Sequence, residues 1–300
     1  MEKYFAYGLS IKSDIELPVY PEPPNRKSFS NFPSVNIRRE PLERSNLLRY
    51  NNDGDYLAGV ASDTLLFHVI GGDTILFDPL PGADRRFIQA VLGGELMAAL
   101  LRQRGILPLH ASCVSKQGQS IAFVGDSGWG KSTLAIFFAR EGYSLVADDI
   151  LALDLNGDHP TIHPSPPYVR LQPDAGDKFI SGYDQLPVSH SRTTKRHLIF
   201  DSSFCNKKTS LRKIYFLEKV KRNENSVEPI APSLATVKLI NLIRAKRLTT
   251  SPEYAKDNLN KCSYLTSSVE SSILRRKLSL EEITDTKKTI EEDISLWSEA

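Results

Sequence analysis

Lys131 and Ser132 close the stretch Gly125-Asp126-Ser127-Gly128-Trp129-Gly130-Lys131-Ser132, whose residue types suit a polyphosphate. Its glycines let successive backbone N–H groups turn inward around phosphate oxygens. Lys131 can reach the outer phosphates, the Ser132 hydroxyl can ligate Mg²⁺, and Thr133 follows at the head of the next element. Asp148 and Asp149 stand 17 and 18 residues after Lys131, side by side in an apolar run. Burying carboxylates is costly unless they are paired or bind metal, so the pair calls for a chemical role. One could take the proton of an acceptor hydroxyl while the other holds Mg²⁺, directly or through water. His110 lies 21 residues before Lys131.

A strand and a helix must position these residues. Ser120 to Val124 reads as a buried strand, and Thr133 to Arg140 as a helix ended by Gly142. Strand, glycine loop and helix together are the setting of a Walker A phosphate loop, with the helix N-terminus adding partial positive charge. From Lys131 to the acid pair is the distance needed to run down that helix and return on a neighbouring strand. That strand would be Ser144 to Leu153, where alternation points Asp148 and Asp149 to opposite sides. Arg170 and Lys195-Arg196 are the basic candidates to complete the site, because phosphoryl transfer gains from positive charge on the equatorial oxygens. Arg244, Lys246 and Arg247 read as a solvated helix face. Trp129 either stacks near adenine or acceptor, or packs behind the loop. His159 and His163 have a metal-like spacing, but Pro160 between them and the lack of partner ligands argue against zinc.

The set of His110, Gly125 to Ser132 and Val146-Ala147-Asp148-Asp149 resembles the catalytic core of the HPr kinase/phosphorylase family, over roughly residues 105 to 153. That family has a histidine upstream of a G-x-S-G-x-G-K-S loop and a V-A-D-D segment downstream, at similar spacings. The resemblance implies ATP-dependent phosphorylation of a serine hydroxyl. It puts the base on Asp148, with His110 and Asp149 close to the phosphates. The later R-G-x-G-x-x-D type segment of the regulatory enzymes is not found, so the resemblance does not extend to the phosphorylase reaction, the HPr target or the hexamer. The wider layout, with Tyr7-Gly8-Leu9-Ser10-Ile11 near the start and Arg104-Gly105-Ile106-Leu107-Pro108-Leu109-His110 after a helix, is similar to shorter HPr-kinase-related proteins. Some of those relatives phosphorylate a C-terminal serine of a lasso-peptide precursor.

The chain has 300 residues, 40% hydrophobic and 25% charged, the composition of an ordinary globular protein with ample surface to bury. A net charge of +2 gives no case for a nucleic-acid footprint. Cys113, Cys205 and Cys262 lie far apart, which fits a reducing compartment better than a disulfide framework or a zinc site. The opening residues lack a basic flank followed by an apolar core, and the longest apolar run, Ala90 to Leu101, is too short to span a bilayer. A cytoplasmic protein without membrane contact is therefore expected.

The expected fold is α/β: a β-rich region over residues 1–83, then an HPr-kinase-like phosphate-loop core with a mixed sheet and C-terminal helices over 84–300. Val35 to Ile37, Leu65 to Ile70 and Thr74 to Phe77 read as strands between turn signals such as Asp53-Gly54 and Gly71-Gly72-Asp73. Pro18 to Pro33 reads as an exposed loop. Asp84 to Arg104 reads as a helix weakened by Gly93-Gly94 and stopped by Gly105. Further on, Pro160 to Pro173 reads as irregular and Gly182 to Thr194 as a polar loop. Lys213 to Leu217 reads as a strand, and Ser233 to Arg247 and Leu280 to Trp297 as helices.

The leading expectation is a Mg²⁺-ATP-dependent serine kinase acting on a peptide or protein, able to form homo-oligomers. In it residues 125–133 bind the nucleotide, Ser132 and Asp149 hold the metal, and Asp148, His110 and Lys131 carry the transfer. The alternatives are a nucleotide-driven ATPase or switch acting on a partner, and a binding module that senses nucleotide without turnover.

Overall fold

The computed structural model describes residues 1–22, 31–43, 55–200, 203–220, 225–249 and 251–295. Within them the alternating apolar residues of the first eighty positions form one six-stranded sheet. Its strands are β1 (Glu2–Ala6), β2 (Leu9–Ser13), β3 (Ser34–Arg39), β4 (Tyr56–Ala61), β5 (Leu65–Ile70) and β6 (Thr74–Pro79), in the order β1-β2-β3-β6-β5-β4. One face buries Ile11, Val35, Ile37, Phe67, Val69 and Phe77. The Asp53-Gly54 turn signal and most of the Pro18 to Pro33 segment lie outside the described residues.

That face is covered by the helical segment after it. Asp84 caps the segment, its carboxylate accepting from the Phe87 N–H at 2.7 Å. The segment runs as α1 (Arg85–Val91), a π-helical turn (Leu92–Leu96) and α2 (Met97–Gln103). Gly93-Gly94 therefore widen the helix rather than end it, and Gly105, at φ 78°, stops it. Val91, Leu92, Leu96, Leu100 and Leu101 share a core with the sheet.

The rest of the chain builds a larger mixed sheet. Its strands are β7 (Leu107–Leu109), β8 (Ala111–Lys116), β9 (Gln119–Val124), β10 (Ser144–Ala147), β11 (Leu151–Asp154), β12 (Thr161–His163), β15 (Thr209–Lys219), β16 (Ser226–Pro229) and β17 (Glu270–Arg276). A separate hairpin pairs β13 (Tyr168–Leu171) with β14 (Arg196–Ile199). The main order is β10-β8-β9-β15-β12-β11-β7, with β17 also on β15 and β16 on β17. Pairing is parallel for β9–β15 and β15–β17 and antiparallel for β8–β9, so the fold is mixed α/β.

Four helices follow α2 among the described residues before the last: α3 (Lys131–Arg140), α4 (Pro173–Phe179), α5 (Pro232–Asn241) and α6 (Pro252–Ser268); α7 (Ile283–Ser295) closes the chain. Leu134 and Phe138 of α3 pack on Phe123 and Tyr215 from the sheet. Side chains buried to this degree contribute about 1.5–3 kcal/mol each, and that packing fixes the strand-to-helix turn between β9 and α3.

Four expectations are corrected. Ser144 to Leu153 is not one strand: it breaks at Asp148-Asp149 into β10 and β11, because Asp149 takes the left-handed conformation at φ 71°. Proline-rich Pro160 to Pro173 contains β12 and β13, whose prolines sit outside the strands. The helix expected to Arg247 ends at Asn241, and Ala245, at φ 56°, turns the chain. The last helix begins at Ile283, and Trp297 lies outside the described residues. The two sheets touch: Ile150, Ala152, Ala245 and Leu248 belong to the core of the first, and the Tyr7 N–H donates to the Pro164 carbonyl at 2.9 Å. No helix among the described residues is long and apolar enough to cross a membrane.

Candidate active site

The glycine loop joins β9 to α3 and needs its glycines. Gly128 and Gly130 adopt φ of 85° and 81°, and Gly125 lies at φ 147°. At Gly125 a Cβ would come within 3.3 Å of the Leu217 carbonyl oxygen, and at Gly130 within 2.8 Å of the Arg276 guanidinium. Lys131 folds back over the loop, donating to the carbonyls of Gly125 at 2.7 Å and Asp126 at 2.9 Å. Burial pushes its ammonium down to about 8, with Asp148 pulling the other way and Lys195 adding to the drop. The Trp129 ring packs against the core cluster beneath α3.

The break at Asp148-Asp149 gives the two carboxylates different surroundings. Asp148 Oδ1 accepts from the Ser132 hydroxyl at 2.8 Å and from the Ser112 hydroxyl at 2.5 Å, and Oδ2 accepts from the Arg170 N–H at 3.0 Å. Asp149 has no such hydroxyl partners. Its Oδ1 lies 2.5 Å from Arg170 Nη2 and 3.2 Å from His110 Nδ1, and its Oδ2 lies 3.3 Å from Arg244 Nη2. Burial alone would raise the Asp149 carboxyl, but Arg170 and Arg244, with His110, hold it well below the ordinary carboxylate range. Burial alone would likewise lower the Arg170 guanidinium, which Asp149 raises. His110, in the link between β7 and β8, also places Nδ1 3.2 Å from the Asp149 carbonyl oxygen.

Ser127, Gly128, Gly130, Lys131, Ser132, Thr133, His110, Asp148 and Asp149 therefore line one cavity of about 90 Å³, together with Arg170 and Lys195. Ser132 shares a hydrogen bond with Asp148, not with Asp149, its expected partner at the metal. Arg196 is turned elsewhere, donating to the Leu186 carbonyl. Arg244, read as part of a solvated face, points inward to Asp149 because the chain leaves the helix at Asn241.

Three residues here had no signal in the sequence. Ser112 is a hydroxyl in an apolar strand. Arg244 is one basic residue among several. Arg276, at the end of β17, is 2% exposed, and its Nε and Nη1 have no hydrogen-bond partner among the described residues. Burial without a counter-charge pushes its guanidinium down to about 10. A buried cation of this kind against Gly130 suits a loop that receives an anion.

The residues also suit Mg²⁺. Among the described residues no group of three His, Cys, Asp or Glu could hold a metal alone. Mg²⁺ at a nucleotide site needs only one or two protein oxygens beside phosphate and water, which Ser132 and Asp148 offer on one side of the cavity.

No protein-family model matches the sequence, and no curated protein does. Among solved structures, the chain is similar to the Hpr(Ser) kinase/phosphatase from Coxiella burnetii, at 11% identity and a TM-score of 0.34, over 64% of this chain and 92% of that one. That is a distant likeness of fold.

Proposed function

We propose that the chain is a Mg²⁺-ATP-dependent kinase that phosphorylates a serine hydroxyl on a peptide or protein. The observation that carries this reading is the division of labour across the acid pair: Asp148 on the Ser132 hydroxyl, Asp149 on His110 and two arginines. The likeness to a peptide-tailoring kinase in the sequence makes a precursor peptide one acceptor to try.

In this reading the loop N–H groups and Lys131 bind the β- and γ-phosphates. Ser132 and Asp148 would hold Mg²⁺, which supplies neutralisation of phosphate charge. This moves the metal from Asp149 to Asp148, and the base from Asp148 to His110. The Asp149 carboxylate keeps Arg170 and Arg244 in place, and its backbone carbonyl accepts from His110 Nδ1–H, which leaves His110 Nε2 to take a proton. The acceptor oxygen bonds to the γ-phosphorus as the bond to the bridging oxygen breaks. The hydroxyl proton passes to His110, and ADP leaves. Arg170 places its charge where the equatorial oxygens gather it.

Asp148→Asn tests the reading with labelled ATP and serine peptides. It removes the charge that faces the Ser132 hydroxyl but leaves the loop glycines and Lys131 in place, so transfer should fall by about 10²–10³ while metal-free ATP binding stays. Full transfer by the variant would remove Asp148 from the site. Label released only as inorganic phosphate by the wild type, whatever the acceptor, would favour the ATPase or switch.

A further inference from the structure

Lys131, Arg170 and Lys195 are the cations that line the loop cavity, and two of them are already engaged. Lys131 donates to the loop's own carbonyls, and Arg170 is ion-paired to Asp149. Lys195 is half-buried, and its ammonium has no hydrogen-bond or ion-pair partner among the described residues. The carboxylates around it are committed elsewhere. Asp149 serves Arg170 and Arg244, Asp148 accepts from two hydroxyls and an N–H, and Asp174 accepts from the Ala175 N–H at 2.9 Å. Two lysines facing one small space repel each other, a cost that an anion between them would remove.

A small hairpin between β13 and β14 sets this position. The chain turns at Gly182, at φ 71°, and Val188 then pairs antiparallel with Arg196 in a single bridge. The Ser189 N–H donates to the Lys195 carbonyl at 2.9 Å, and the Lys195 N–H donates to Thr193 Oγ1 at 3.2 Å. The Thr194 hydroxyl donates to Gln172 Oε1, on the cavity wall, at 3.3 Å. The backbone of Lys195 is thus held on both sides while its side chain is left to the cavity. Arg196 is the register partner of Leu171, so Lys195 reaches the cavity beside Arg170 rather than from the glycine loop.

The tip of the hairpin is fastened to the first sheet and its helix. The Arg192 guanidinium lies over the Phe87 ring, 4.1 Å from its centre, and Nη1 donates to the Ser62 carbonyl at 3.2 Å. The His190 ring lies 5.0 Å from that of Phe87. Phe87 belongs to α1 and Ser62 follows β4, so the hairpin runs from the phosphate loop to the other sheet. On its way it lines a larger cavity, of about 350 Å³, beyond Asp149, through Val188, Ser189 and His190.

We propose that Lys195 is a catalytic residue whose ammonium donates to a γ-phosphate oxygen, and that the clip on Phe87 positions it there. The transfer step rests on the kinase reading above; the γ-phosphate contact does not. As the acceptor oxygen bonds to the γ-phosphorus, the bond to the bridging oxygen breaks and its electron pair leaves with ADP. The hydroxyl proton passes to His110, and Lys195 keeps its own protons. Its part is positive charge beside the oxygens of the group in transfer. Lys131 serves ADP and ATP alike, whereas Lys195 serves only a nucleotide with a third phosphate.

Calorimetry with Mg²⁺-ADP and with Mg²⁺-adenylyl imidodiphosphate tests the contact without turnover. Lys195→Met should weaken the triphosphate analogue about tenfold, the worth of one charge-assisted hydrogen bond. Its ADP Kd should stay unchanged, which also shows that the variant folds. With labelled ATP and a serine peptide, transfer by Lys195→Met should fall by about 10²–10³, and Lys195→Arg should regain part of it. Arg192→Ala, at an exposed position, should slow transfer by about two- to fivefold, the worth of an exposed cation–π contact. Equal weakening of both nucleotides, or of neither, would overturn the γ-phosphate contact. Full transfer by Arg192→Ala would overturn the clip. A wild type that transfers to no acceptor would sink the kinase reading, and the two nucleotide affinities would then decide Lys195 alone.

Discussion

The loop cavity draws six of its lining residues from the seven-residue stretch Ser127 to Thr133, whereas the larger cavity beyond Asp149 gathers its lining from segments as far apart as Glu16 and Arg244. A phosphate has one shape, so one short piece of backbone can be set to receive it. The larger cavity is lined by side chains from several sides, and only tertiary packing brings those together. Asp149 and Arg170 stand in the wall between and line both cavities.

Removing the wall is the harshest test. Asp149→Ala leaves the half-buried Arg170 and Arg244 without the carboxylate they share, which should cost about 1.5–3 kcal/mol of stability and abolish transfer. Denaturant unfolding should show a lower midpoint with an unchanged slope. Asp148→Asn serves as the contrast, since it should lose transfer with far less loss of stability. If the two variants unfolded alike, Asp149 would not be the joint between the cavities.

This contrast also sets what could be read from the sequence. The loop, β9, α3 and the return of the acid pair to the loop follow from local spacing, because each is one short segment or one helix away from the next, whereas the place of His110 came from the family resemblance, a lone histidine carrying no signal of its own. The strands at Leu65 to Ile70 and Thr74 to Phe77 were legible from apolar alternation for the same reason. What failed was the direction of side chains at breaks. Asp148 and Asp149 were expected on the two faces of a continuous strand, but the left-handed Asp149 ends the strand there and re-aims both. Arg244 looked solvated because a helix was continued past Asn241 to a point where the chain turns inward. Ser112 and Arg276 carry no pattern at all. Each matters through a contact made across the fold, with Asp148 in one case and Gly130 in the other.

Arg276 sharpens the loop side of the comparison, with a smaller effect of opposite sign. Its buried guanidinium lacks a counter-charge, so the free protein carries a desolvation cost that a bound anion would relieve. Arg276→Met should raise the stability of the nucleotide-free chain by about 1–3 kcal/mol and weaken Mg²⁺-ATP binding. Thermal melts with and without nucleotide measure both: the variant melts higher alone and gains less from ATP than the wild type. A variant that melts lower alone would mean that Arg276 is paired and structural.

The smallest effect concerns Lys131 and pH. Burial pushes its ammonium down to about 8, against an ordinary value near 10.4. Phosphate oxygens favour the charged form, so ATP affinity should hold below pH 8 and fall as pH rises through it, by at most tenfold per unit. Between those two values the unfolded chain binds a proton that the folded chain has released, so the same group makes the nucleotide-free protein more stable as pH climbs from about 8 towards 10.4. Affinity and stability must therefore move in opposite directions over one pH window. Calorimetry in buffers of different ionisation enthalpy should also show proton uptake on ATP binding near pH 8.5. Lys131→Arg keeps its charge throughout and should flatten the affinity profile. A wild-type profile already flat from pH 7 to 9.5 would mean that Lys131 is not a ligand of the phosphates.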